Sequence, residues 1–149
     1  MKRLPSALMA AVAGPLAIVA GAEAASPPSH LVQGGGVANA GYMLGFTGLD
    51  YGTSGDRGEV QVIKSNGVPL NGYVTCVDVL GNKAVLTGKL RNDHTGNPYF
   101  RVRVQDNGEP NNPGNTSPDR VQFSQTNSPE LCTRSTPNDV LVAGDVQVR

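Results

Sequence analysis

The chain has 149 residues, a length that suits one domain. Lys plus Arg is 12 and Asp plus Glu is 12, so the formal net charge is zero and the basic footprint of a nucleic-acid binder is missing. Gly is 19 and Pro is 11, against no Trp, four Tyr and three Phe, a composition poor for long helices and suited to short strands and turns.

The chain opens on Met1-Lys2-Arg3, followed by an apolar run over residues 8–20. That run is shorter than the ~20 residues a bilayer span requires. Ala22 and Ala24 meet the small-x-small rule of a secretory cleavage site, so residues 1–24 read as a signal peptide and 25–149 as a single mature domain. The expected location is secreted, periplasmic or cell-surface, with no membrane span in the mature chain. Both cysteines, Cys76 and Cys132, survive cleavage into an oxidising compartment and predict one disulfide.

Three consecutive glycines, Gly34 to Gly36, free the backbone for a bulge or a close approach. A phosphate cradle would need a following helix and a lysine, and the sequence supplies neither. Tyr42, Leu44 and Phe46 alternate as a strand does. The string GTSG at 52–55 continues with Asp56, where a nucleophile elbow needs glycine. Residues 57–65 give another strand, with Val60 and Val62 on one side.

The strongest local signal is YVTCVDVL at 73–80, then Gly81-Asn82, then KAVLTGKL at 83–90, which predicts a hairpin with a two-residue turn. Counting outward from Leu80 opposite Lys83 sets Val79 against Ala84, Val77 against Leu86, Thr75 against Gly88 and Tyr73 against Leu90. That register gathers the apolar side chains on one face and leaves Val74, Cys76, Asp78, Val85 and Thr87 on the other. Cys76 then lies outside, and its bridge should fasten a loop crossing the outer surface. In YFRVRVQ at 99–105, Phe100, Val102 and Val104 face in while Arg101 and Arg103 face out. Residues 106–119 carry no apolar side chain and read as a surface loop. Strands follow over 120–124 and 140–149, joined by a polar connection that holds Cys132. Seven to eight strands and no helical period predict an all-β antiparallel fold, a small barrel, with a two-sheet sandwich as the alternative.

The string YFRVRVQDNGEP with SPDR at 117–120 resembles a recurrent pattern in a family of small exported bacterial β-domains marked by DNGEP and PDR. The likeness extends to the glycine-rich opening, Gly55-Asp56-Arg57-Gly58, the YVTC strand before a Gly-Asn turn, and GDVQV at 144–148. It implies export and an all-β fold, and it assigns no activity. The extra residues NPGNT at 112–116 depart from the pattern.

Candidate sites are few. Asp106, Asn107, Glu109 and Asp119 place oxygen ligands in one loop, which suits Ca²⁺ coordination; the competing reading is an ordinary Asp/Asn-rich turn. Arg101 and Arg103, with Lys89 and Arg91, form an outward basic stripe suited to an anionic glycan or cell-wall polymer, against a plain solvated face balanced by Asp78 and Glu59. His30 falls next to the leader and His94 in a turn, so no nucleophile–base–orienter set is visible. The sequence therefore reads as an exported, non-catalytic binding or structural module. The alternatives are a small hydrolase using Asp56, Glu59, Asp106 or Glu109, and a Ca²⁺-dependent adhesion domain.

Overall fold

The computed structural model describes residues 26–52, 55–109 and 117–149. Residues 1–25, which include the segment expected to be a signal peptide, Thr53 and Ser54, and residues 110–116 of the 106–119 loop lie outside the described residues. Among the described residues there are eight strands: β1 (His30–Ala38), β2 (Met43–Asp50), β3 (Arg57–Ile63), β4 (Pro69–Leu80), β5 (Lys83–Leu90), β6 (Tyr99–Gln105), β7 (Arg120–Thr126) and β8 (Asp139–Val148). Each pairs antiparallel with the next, and β8 returns to β1, so the meander closes into a barrel. No helix of the described residues is long and apolar enough to cross a membrane.

Alternation fixes what fills the interior. Val32, Leu86, Phe100, Val102, Val104 and Val121 are fully buried and form one cluster with Phe46, Val62 and Val146. A β-branched or aromatic residue at every second position suits a pleated wall with one oily side. Two strands approach closely where glycine permits it. Gly36 faces Gly144 across β1 and β8, and a β-carbon on Gly144 would sit 2.0 Å from the Gly35 carbonyl oxygen. Gly144 also has φ of 115°, a left-handed conformation that glycine adopts without steric cost. His30, next to the leader, opens β1 and faces Asp50 in the ladder, and its Nδ1 lies 3.0 Å from that carboxylate.

The hairpin register holds for only part of its length. Leu80 faces Lys83, Val79 faces Ala84 and Val77 faces Leu86, as the alternation requires. The ladder then shifts between Val74 and Cys76, so Val74 faces Gly88, Tyr73 faces Lys89 and Gly72 faces Leu90. Thr75 is the extra residue of a β-bulge, and one extra residue inverts the inside–outside parity of everything beyond it. Val74 therefore turns in, 4% exposed, and Tyr73 turns out, 38% exposed. Gly88 makes the bulge possible: a β-carbon there would lie 1.9 Å from the Tyr73 carbonyl oxygen.

Cys76 and Cys132 form the disulfide, with Cα atoms 6.2 Å apart. The bridge fastens residues 127–138 as a strap across the outer face of β4 to β6. Under it lie Val85 and Thr87, outward side chains that are nonetheless 0% and 4% exposed. Around the bridge the strap is held by polar contacts: Arg101 to Glu130, Arg103 to Ser135, Lys83 to Thr136, and Arg134 to Asp78 and the Val79 carbonyl. Pro137 is its fully buried side chain, while Leu131 is 71% exposed. Apart from the largely buried Arg101–Glu130 pair these contacts are exposed and contribute little individually, so the covalent link is the main anchor. The double variant Cys76→Ser/Cys132→Ser should lose about 4 kcal/mol, the loop-entropy value for a cross-link of this span. Urea denaturation of the oxidised wild type and the variant measures the difference.

Candidate binding surface

The site grows from the register. Thr47 faces Glu59, Glu59 faces Tyr73, Tyr73 faces Lys89, Lys89 faces Tyr99, and Tyr99 faces Thr126. These residues form one outward row across six neighbouring strands. Tyr73 and Tyr99 flank Lys89 and stand two strands apart, about 9–10 Å at the usual strand spacing. The bulge at Thr75 is what admits Tyr73 to this row. The Arg91 guanidinium lies over the Tyr73 ring at 5.6 Å and pairs with Glu59 at 3.1 Å. The Lys89 ammonium lies over the Tyr99 ring at 5.8 Å. Among the described residues Lys89 has no carboxylate partner.

Two hollows flank the row. One of about 140 Å³ is lined by Tyr73, Thr75, Thr87, Lys89, Tyr99 and Glu130, against the edge of the strap. The other, about 370 Å³, lies beyond Tyr73 and is lined by Thr47, Glu59, Gln61, Asn71 and Arg91. Together they make a shallow track over a rigid wall, furnished with two aromatic rings, amides, hydroxyls and a lysine. Neither Tyr73 nor Tyr99 stands out in the sequence. The signal that finds them is the cross-strand register, and a straight count through Thr75 sends Tyr73 inward.

Arg101 and Arg103 point outward but lie beneath the strap. Arg101 bridges Glu130 at 2.5 Å with both side chains largely buried, and Arg103 donates to Ser135 at 3.0 Å. Their Nε atoms are buried and have no hydrogen-bond partner among the described residues. The outward stripe of four cations is thus divided: Lys89 and Arg91 are open, Arg101 and Arg103 are covered.

Asp106, Asn107 and Asp119 lie at the seam where the barrel closes. β7 and β8 share only the pairs Arg120–Val140 and Val121–Asp139. Beyond them β8 needs acceptors for its inner-edge amides, and carboxylates supply them. Asp119, 7% exposed, accepts from Asn107 N–H and Val146 N–H, each at 2.8 Å. Asp106 accepts from Gly108 N–H at 2.8 Å and Val148 N–H at 3.0 Å. The Asn107 side-chain amide donates to the Pro118 carbonyl at 2.7 Å. Burial pushes the Asp119 carboxyl above its ordinary value, against its two amide donors. Glu109 is exposed at the limit of the described loop.

At the other end of the same seam Tyr42 has the corresponding role. Its hydroxyl accepts from Phe123 N–H at 3.1 Å and donates to Asp139 Oδ2 at 2.8 Å, and burial with that partner pushes its pKa upward. Asp56 accepts from Tyr51 N–H and Val77 N–H. Asp93 accepts from Thr95, Asn97 and Gln125, and no bond joins it to His94. No group of three His, Cys, Asp or Glu side chains gathers as a metal site among the described residues.

No family model, no curated protein and no solved structure matches the chain.

Asp119→Asn replaces one acceptor with an NH₂ group facing an N–H donor. The variant should lose about 1–3 kcal/mol, read by urea denaturation. A carboxyl raised by folding contributes stability that is present below the ordinary carboxylate pKa and is lost as pH rises through the raised value. The margin of the wild type over Asp119→Asn should therefore widen on acidification through the carboxylate range. A margin that narrows would contradict burial as the dominant influence.

Proposed function

We propose that the chain is exported by loss of residues 1–24 and acts outside the cytoplasm as a non-catalytic binding module, with the outer wall of β2 to β6 as its working face. The observation that carries this reading is the row Glu59–Tyr73–Lys89–Tyr99. A solid barrel leaves its function to surfaces, and this wall concentrates two of the chain's four tyrosines beside open cations. The disulfide fits an oxidising destination. Asp56, Asp106 and Asp119 direct their carboxylate oxygens at backbone amides, which supports a structural use of acids that a hydrolase would need to keep available. Kinship with the exported β-domains that carry DNGEP and PDR belongs to the same reading, since the motif's two aspartates are the ones at the seam.

The partner class is an extracellular glycan or cell-wall polymer. Mature protein, residues 25–149, mixed with insoluble polysaccharides and cell walls should sediment with at least one of them. Tyr73→Ala/Tyr99→Ala should reduce retention about tenfold, with the thermal midpoint little changed because both rings are on the outer face. Mass spectrometry of the exported product should show a chain beginning at Ala25. Retention unaffected by loss of both rings removes the wall from consideration.

A further inference from the structure

The geometry points to a carboxylate-bearing polysaccharide as the ligand of this wall, bound with a uronate carboxylate at Lys89 and the neighbouring sugar units against Tyr73 and Tyr99. This inference rests on the binding reading above and specifies its ligand.

Charge is the first reason. The acid in the row and the one beside it are already occupied: Glu59 pairs with Arg91 at 3.1 Å and Glu130 with Arg101 at 2.5 Å. Lys89 is exposed, and among the described residues no carboxylate pairs with it. Its hold on the Tyr99 ring, at 5.8 Å, is a weak exposed cation–π contact that a carboxylate can outcompete. The row therefore presents one available positive charge between two rings.

That density of charge decides among polyanions. A nucleic acid or polyphosphate carries a charge on every unit and is held by clusters of unpaired cations. A single lysine between two aromatic side chains suits a chain in which carboxylates are separated by neutral, ring-shaped units. The shape agrees. Tyr73 and Tyr99 lie about 9–10 Å apart, across two strand spacings. That separation is comparable to two units of an extended polysaccharide. The hollows on either side are lined by Thr75 and Thr87, and by Thr47, Gln61 and Asn71, which offer hydroxyls and amides to sugar hydroxyls. Both edges of β4 and β5 are fully paired in the barrel, so an extended peptide finds no open ladder here.

The test measures affinity of the mature protein for three soluble probes: a polyuronate whose uronate units alternate with neutral sugars, a neutral β-glucan and a polyphosphate. The polyuronate should bind most tightly. Lys89→Gln should weaken polyuronate binding about tenfold and neutral-glucan binding by a clearly smaller factor. Tyr73→Ala/Tyr99→Ala should weaken both. Equal affinity of the wild type for polyuronate and neutral glucan overturns the ligand class while leaving a binding wall. So does an undiminished polyuronate affinity in Lys89→Gln. Polyphosphate binding as tight as polyuronate overturns the role given to the rings. Binding of none of the probes, nor of any insoluble polymer, overturns the binding reading itself.

Discussion

Every barrel must close, and in this one closure is the tightest constraint. Seven of the eight strand interfaces run as long ladders, while β7 and β8 meet through two residue pairs. Buried amides without acceptors cost too much to leave, so side chains finish what the ladder omits. Asp119 and Asp106 serve β8 at one end of the seam, and the Tyr42 hydroxyl serves β7 at the other. An aspartate is well suited to this task. It is short, it has two acceptor oxygens, and one carboxylate can hold a loop amide and a strand amide together. Asp56 does the same at the bulge, where it receives Val77 N–H.

This explains how far the sequence could be read. Phe100, Val102 and Val104 announce their inward face because period-two alternation is a property of neighbouring residues. The all-β antiparallel fold, the turn at Gly81-Asn82 and the outer position of Cys76 follow from the same local rules, whereas closure into a barrel, with a two-sheet sandwich as the alternative, is decided by pairing between distant strands. The bulge at Thr75 does not. It depends on Gly88 across the ladder, which alone tolerates the approach of the Tyr73 carbonyl, and a single strand carries no sign of what stands opposite it. One inserted residue was enough to move Tyr73 from the expected core to the outer row.

The candidate site was legible to a smaller extent. Asp106, Asn107 and Asp119 attract notice as a cluster of oxygens, and they are indeed held together. What holds them is the need for hydrogen-bond acceptors at a seam between strands distant in sequence, which their composition does not disclose. Arg101 and Arg103 are outward as the alternation demands, yet a strap tied down 56 residues from Cys76 lies over them. Outward in a strand is a statement about the local sheet; exposed is a statement about everything else in the chain. Lys89 and the two tyrosines become a group only when β4, β5 and β6 are laid side by side.

The thin seam lies between β7 and β8, whereas the Tyr73–Lys89 part of the row is carried by the long ladder of β4 and β5. Opening fluctuations concentrate where ladder bonds are fewest, so amide hydrogens of β7 and β8 should exchange with solvent sooner than those of β4 and β5. The molecule can breathe along one flank while the other keeps its side chains in fixed spacing. A surface that meets a stiff, repetitive polymer gains from that division, because little ordering remains to be done at the moment of contact.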